Sequence, residues 1–214
     1  MKSMTPIYFT ADWHLFHDNI LKFCHRPFKD ITEMTEKLIK NYNSTVPENG
    51  FCYFMGDMGK GPFDEFRKII SSLNGTKFFI MGNHDKKSYG FFYKAGFSAV
   101  MHSAVIYIGQ SRVSLSHCPL IGRYRENTGN MAGAVYGDNW YGESREKNFQ
   151  YTIEANADFH LHGHCHAPND GNSKPLEGNQ YDIGVDANGF RPVSISKIGF
   201  LIDEYKRGLI KTPS

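Results

Sequence analysis

Nowhere in the 214 residues is there a run of about 18 apolar residues, so no membrane-spanning helix is expected. The opening Met1-Lys2-Ser3-Met4-Thr5-Pro6 lacks the apolar stretch of a secretory signal. Cysteine is sparse: Cys24, Cys52, Cys118 and Cys165 are scattered, and none form a C-x-x-C pair. A disulfide framework is therefore not expected at this size, and reduced thiols in the cytoplasm are. A strong charge excess is also missing. At +2 the formal net charge gives no basic stripe of the kind a dedicated nucleic-acid binder carries. Internal repeats and domain linkers are absent as well. With 40% hydrophobic and 21% charged residues, the composition is that of a soluble globular protein, expected as one domain over residues 1–214.

What the chain does have is a regular alternation of short apolar runs and amphipathic stretches. Strands are expected at 7–10, 51–55 and 77–81, each followed at once by a polar, Gly-containing turn. Between them, Asp30 to Tyr42 reads as a helix with Asp30 as cap and Glu33 closing a capping box. Its buried stripe is Ile31, Met34, Leu38, Ile39 and Tyr42. A second helix opens at Pro62, carries Phe63, Phe66, Ile69, Ile70 and Leu73, and stops at Asn74-Gly75. Further strands are expected at 105–108, 113–116, 159–161 and 181–185, and helices at 89–95 and from Ser194 to Gly208. Strand-helix-strand alternation implies parallel pairing in a layered α/β architecture, with ligands gathering at the carboxyl ends of the strands.

Five signatures occupy such ends or the turns after them: Asp12-Trp13-His14, Gly56-Asp57, Gly82-Asn83-His84-Asp85, Ser116-His117-Cys118 and Gly163-His164-Cys165-His166. Each alone is weak, since Asp-x-His and Gly-Asp are common in caps and turns. The ordered set is the signal. It offers three carboxylates, one amide oxygen and five imidazoles, enough donors for two divalent cations. Two metals about 3.5–4 Å apart clamp a phosphoryl group and generate a nucleophile from water, so hydrolysis of a phosphate ester is expected.

The segment 122–148 is rich in Gly, Asn, Tyr and Arg and lies between two of the signatures, so a flap over the site is expected. Within it Arg123 and Arg125 suit phosphate oxygens. Tyr124, Tyr136, Trp140 and Tyr141 either stack on a base or anchor the flap. His17, close after His14, either touches substrate or supports the site, and Lys60 reads as a solvated lysine. Cys118 and Cys165 read as small buried hydrophobes, His160 as packing and His162 as support to the ligands.

The ordered signatures resemble those of the calcineurin-like metallophosphoesterases. The start Tyr8-Phe9-Thr10-Ala11-Asp12-Trp13-His14 and the run from Gly184-Val185-Asp186 to Arg191-Pro192-Val193-Ser194 are similar to the small bacterial and phage members. For a phage gene the compartment would be the host cytoplasm. The resemblance implies a four-layer α-β-β-α sandwich of two mixed sheets flanked by helices. It implies that Asp12, His14, Asp57 and His166 hold one metal, that Asp57 bridges, and that Asn83, His117 and His164 complete a second. Manganese is the first choice, with iron, zinc, nickel or cobalt as alternatives. A metal-bridging hydroxide attacks phosphorus in line, His84 stabilises the transition state or protonates the leaving oxygen, and Asp85 orients His84. The Gly56-Asp57-Met58-Gly59-Lys60 run departs from protein serine/threonine phosphatases, which carry Asp-Arg after this position, so a protein substrate is disfavoured. The expected substrate is a small, nucleotide-like phosphodiester or phosphomonoester. The alternatives are a nuclease on DNA or RNA, and a non-catalytic metal- or nucleotide-binding sensor on the same fold. The sequence leaves the oligomeric state open.

Overall fold

Apolar runs of four and five residues, each joined to the next through an amphipathic helix, build the first of two sheets. The computed structural model describes residues 5–119, 157–167 and 176–209. Strands β1 (Ile7–Thr10), β2 (Phe51–Met55), β3 (Thr76–Ile80) and β4 (Ala99–Met101) pair in parallel in that order. The short β10 (Val193–Ser194) runs antiparallel on the free side of β1. The register sets Thr10 beside Phe54 and Met55 beside Ile80, which levels the carboxyl ends of the three strands that enter the signatures.

Helices α1 (Asn19–Phe23), α2 (Ile31–Asn43), α3 (Phe63–Ser71) and α4 (Tyr89–Ala95) connect these strands. At the start of α2 the Asp30 carboxylate accepts from Glu33 N–H at 2.8 Å, as expected. The Glu33 carboxylate answers by accepting from Lys29 N–H at 2.8 Å, one residue earlier than the usual capping box. Met34, Leu38 and Tyr42 of α2, Phe66 and Ile70 of α3 and Phe92 of α4 are buried against Trp13, Phe54 and Phe79. Phe79 makes the tightest ring contact of this layer, 4.4 Å from Phe92.

The second sheet has the order β5-β6-β7-β9-β8 and is mixed. Its members are β5 (Ser103–Ile108), β6 (Ser111–Ser116), β7 (Phe159–His162), β8 (Leu176–Glu177) and β9 (Gln180–Asp182). β6, β7 and β9 are parallel, with antiparallel pairs at both edges. Period-two alternation turns Val113, Leu115, Phe159 and Leu161 toward Phe9, Met55 and Ile80 of the first sheet, and these form the inter-sheet core. Helix α5 (Ile195–Lys206), capped by Ser194, adds Ile198 and Ile202 to that core and sets Tyr205 edge-on to Phe159. The result is the expected sandwich of two mixed sheets flanked by helices.

Four elements were not expected: α1, β4, β8 and β10, each five residues or fewer, too short to show a periodicity. The strand expected over 181–185 ends at Asp182, and beyond it Gly184 only bridges to Ala11, which ties the two sheets together beside the site. Among the described residues no helix is long and apolar enough to cross a membrane. The expected flap over 122–148, with Arg123, Tyr124, Arg125, Tyr136, Trp140 and Tyr141, lies outside the described residues.

Candidate metal centre

Each signature turns sharply as it leaves its strand, and the backbone records it. Asp12, His14, Asp57, His164 and His166 all have positive φ, between 48° and 70°. Only three other non-glycine residues among those described share this conformation. Such residues cost on the order of 1–3 kcal/mol each and persist where their surroundings hold them, typically at functional sites. Here the turns hold one another. Asp12 N–H donates to Gly56 O at 3.1 Å, His14 N–H to Asp57 O at 2.9 Å and Leu15 N–H to Met58 O at 2.9 Å. Two glycines permit the close approach: a Cβ on Gly163 would lie 2.6 Å from both Asp12 Oδ2 and Ala11 Cβ, and one on Gly82 would lie 2.3 Å from Asp57 Oδ1.

The turns bring all seven expected ligands together. His14 Nε2 lies 3.2 Å from His166 Nε2 and 3.5 Å from Asp57 Oδ2. On the other side, His117 Nε2 lies 3.4 Å from the same Asp57 Oδ2, 3.0 Å from Asn83 Oδ1 and 3.2 Å from His164 Nδ1. His164 Nδ1 and Asn83 Oδ1 are 3.1 Å apart. Donor atoms of Asp12, His14 and His166 fall within 4.8 Å of one another, and so do those of Asp12, Asp57 and His117. Donors about 2.1 Å from one ion stand about 3.0 to 3.4 Å apart, so the spacing suits a first coordination sphere. Cys118 comes within the same range of His117 and His164, and burial raises the pKa of its thiol in the metal-free protein.

The donor chemistry also calls for a cation. Most of these atoms are acceptors facing acceptors in a buried space, and their charge must be balanced. In the bare protein, protons do part of this. Burial pushes Asp12 up to about 7, against the pull of His166 and His117. Burial would raise Asp57 too, but the imidazoles of His117, His14 and His84 hold it well below the carboxylate range. His117, where burial is outweighed by Asp57 and Asp12, rises to about 9. His166 rises likewise, with Asp12 and Asp186 overcoming burial. His14 and His164 are pulled well down, chiefly by burial. Divalent cations fit the positions these protons serve.

Around the ligands stand residues of three kinds. Asp186 and Arg26 carried no expectation from the sequence. Asp186 Oδ2 lies 2.7 Å from His166 Nδ1, while Arg26 donates to Asp186 through Nε and Nη2 at 2.8 and 2.7 Å and to Asp12 O at 2.7 Å. Asp85 is not the orienter of the His84 ring. Its carboxylate accepts from the backbone N–H groups of Asp57, Met58 and Gly82 at 2.8, 3.0 and 2.7 Å, and so clips two ligand-bearing loops together. At the mouth, His84 has a half-exposed side chain. Its N–H donates to Asp57 Oδ1 at 2.9 Å, and its Nε2 is 4.0 Å from Asp57 Oδ2. Partial burial, ahead of the charges of Lys60 and His84, lowers the pKa of His17, whose ring centroid is 5.5 Å from that of His14.

A protein-family model described as calcineurin-like phosphoesterase matches residues 5–191. The uncharacterized protein MJ1445 of Methanocaldococcus jannaschii is 44% identical over 86 residues, covering 39% of this chain and 49% of that protein. The chain thus spans about half the length of the curated relative it matches. A crystal structure of the protein of unknown function AQ665 from Aquifex aeolicus matches with a TM-score of 0.63. It does so over 92% of this chain and 99% of that one, at 23% identity, a likeness that carries the fold alone. All five signatures fall inside the matched span, and the chain belongs to the calcineurin-like phosphoesterases, a family of metal-dependent phosphoester hydrolases.

Proposed function

We propose that this protein hydrolyses a small, nucleotide-like phosphodiester or phosphomonoester at a centre for two divalent cations. Asp12, His14, Asp57 and His166 would hold one ion, and Asp57, Asn83, His117 and His164 the other. The observation that carries this reading is the position of Asp57 Oδ2, 3.5 Å from His14 Nε2 and 3.4 Å from His117 Nε2, between the two sets of donors. Bound there, two such ions supply Lewis-acid polarisation of phosphoryl oxygens and a lowered pKa for water. Carboxylate, amide and imidazole donors suit manganese, iron, cobalt, nickel or zinc, and the family resemblance puts manganese first.

In the overall reaction, a water oxygen bonds to phosphorus, the bond from phosphorus to the ester oxygen breaks, and a proton from water ends on the departing oxygen. We assign that proton to His84. Partial burial lowers the affinity of its ring for a proton, and an approaching phosphate anion restores it. Asp85 serves the reaction through the backbone, by fixing the loops that carry Asp57 and His84. Asp186 fixes the ring of His166. Arg123, Tyr124 and Arg125 are proposed substrate contacts on chemical grounds, and His17 for its place beside His14. The cytoplasmic setting is proposed from the cysteines, none of which is joined to another by a disulfide.

The test uses metal-stripped protein reloaded with manganese. Turnover of bis(p-nitrophenyl) phosphate, p-nitrophenyl phosphate, cyclic nucleotides and single-stranded DNA is compared. Hydrolysis of the small esters is expected. Absence of turnover with two metals bound would sink the proposal in favour of a sensor, and a strong preference for DNA would make the protein a nuclease.

A further inference from the structure

A row of rings leads from the buried centre to solvent. The centroids of His166 and His14 are 5.0 Å apart, those of His14 and His17 5.5 Å, and those of His17 and Phe23 6.5 Å at 76°. From His14 outward exposure rises, from 3% at His14 through a partly exposed His17 to 70% at Phe23. Phe23 ends α1, whose apolar contacts with the core are made by Ile20 and Leu21. Core packing therefore does not account for Phe23. A lone exposed phenyl is ordinary on a protein surface. A phenyl set edge-on to an imidazole that itself adjoins a ligand of the candidate metal centre is not a lone one.

A second observation points the same way. Among the described residues, His17 Nδ1 is buried and has no hydrogen-bond partner. A buried ring nitrogen ordinarily has one, so this atom is open to a polar group that reaches the rim. Beside it, the Leu15–His17 loop is laced to the Gly59–Gly61 loop by the Leu15–Gly59 bridge and by Lys60 N–H donating to Leu15 O at 3.1 Å. The rim that carries His17 is thus fixed by backbone bonds before any ligand arrives.

We propose that His17 and Phe23 form the seat for the nucleoside of the substrate, with an unpaired base lying on the Phe23 ring and a polar atom of the base or sugar bonding His17 Nδ1. This rests on the phosphoesterase reading above, and it assigns the recognition of the esterified group to two residues of the described chain. The two rings stand one and two ring spacings beyond His14, on the side where the centre opens to solvent. Phe23 has no hydrogen-bonding group, so it reads a flat π-face and tolerates any of the bases. An alkyl group esterified to the same phosphate has no such face and gains nothing there.

The manganese-loaded protein is assayed with two esters that release the same nitrophenolate: the p-nitrophenyl ester of thymidine 5′-monophosphate and methyl p-nitrophenyl phosphate. Wild type should favour the nucleoside ester by about tenfold or more in kcat/KM, the scale of one base stacked on one ring. Phe23→Ala, at an exposed position that should leave folding intact, should abolish that preference while leaving the methyl ester unchanged. Phe23→Leu should recover little of it, and Phe23→Trp most. A readout independent of turnover is the aromatic NMR spectrum of the metal-free protein titrated with thymidine 5′-methylphosphonate, in which the Phe23 ring signals should shift. Inhibition by thymidine 5′-monophosphate and by a short oligothymidylate then tells a free nucleotide from a strand end, and either supports the seat. An unchanged preference in Phe23→Ala with unmoved Phe23 signals overturns the seat and leaves the phosphoesterase reading standing. If neither ester is turned over with metal bound, that reading fails, and the NMR titration alone decides the seat.

Discussion

Arg26 grips Asp186 across 160 residues of sequence with two parallel hydrogen bonds, Nε to Oδ1 at 2.8 Å and Nη2 to Oδ2 at 2.7 Å, both side chains being buried. The same Arg26 donates to the carbonyls of Asp12 and Trp13, so one guanidinium fastens the first signature to the carboxylate behind His166. Burial would raise the pKa of Asp186, but Arg26 and His166 hold it down and keep it anionic. An anion at His166 Nδ1 fixes a proton there and turns Nε2 toward the centre. Asp186→Asn should therefore weaken manganese binding at the His14–His166 side by about 10- to 100-fold and leave the Asn83–His117 side near its original affinity. Isothermal titration resolves the two sites. Arg26→Ala leaves a buried carboxylate without its partner, and urea unfolding of the metal-free variant should show a loss of about 3–5 kcal/mol. Wild-type affinity at both sites in Asp186→Asn would mean that His166 does not bind through Nε2.

Asp57 Oδ2 lies within 3.5 Å of a donor on each side of the candidate centre, His14 Nε2 and His117 Nε2, as the bridging role proposed above requires. Replacing Asp57 with Asn keeps the shape and removes the charge. Asp57→Asn should lose tight binding of both ions together, and activity with them. A variant missing a ligand of one side only, such as Asn83→Ala, should still retain the other ion. Metal content after gel filtration, measured by atomic emission, separates the two. Retention of one equivalent of manganese by Asp57→Asn would show that the carboxylate does not bridge.

The parts of this fold legible in the sequence are those with a period or a punctuation. Phe51–Met55 and the Met34-Leu38-Tyr42 stripe carry their own pattern, and the polar turns after the strands stand out because apolar runs stop abruptly at them. Strands β4 and β10, three and two residues long, are set by ladder partners on β3 and β1, which no local window contains. The site divides the same way. The polar turns that carry Asp12, His14, Asp57, Asn83, His117, His164 and His166 stand out in the sequence, while their sorting into ligand sets rests on the family resemblance. Asp186 was in view in the Gly184-Val185-Asp186 run, but its task depends on Arg26, which looks like any other arginine. Asp85 was misjudged because its three partners are backbone N–H groups, and these leave no trace in a sequence.

His84 differs from the ligands in being half exposed, so its loss should leave folding almost untouched, within about 0.5 kcal/mol. If it supplies a proton to the departing oxygen, the effect of His84→Ala depends on what departs. With an alkyl or nucleoside leaving group, kcat should fall by about 10²–10⁴-fold. With p-nitrophenolate, a stable anion that needs no proton, the fall should be much smaller. Both metals should remain bound. Equal losses with both leaving groups would move His84 from proton donor to electrostatic support of the phosphoryl oxygens.

His160 offers a pH-dependent test that is separate from the metal ligands. It is fully buried on β7, with Nδ1 2.8 Å from Ser114 Oγ and Nε2 3.2 Å from Cys118 O. Burial, then the neighbouring His162, pulls its pKa down to about 3. In the unfolded chain the ring titrates near the ordinary value of about 6.5. Below that pH the unfolded state takes up a proton that the native state refuses, so the stability His160 lends is complete above about 6.5 and drains away as the pH falls toward 3. The drain is one proton, about 1.4 kcal/mol for each pH unit within that window. His160→Gln keeps a polar side chain there but cannot titrate. It should be less stable than wild type at pH 7.5 and lose stability more slowly from pH 6.5 to 4.5. Urea midpoints of the metal-free proteins measure both. His14, His162 and His164 are also lowered, so the variant should retain part of the slope and lose only the share of one proton. Parallel pH profiles for the two proteins would show that His160 is not held neutral in the folded state.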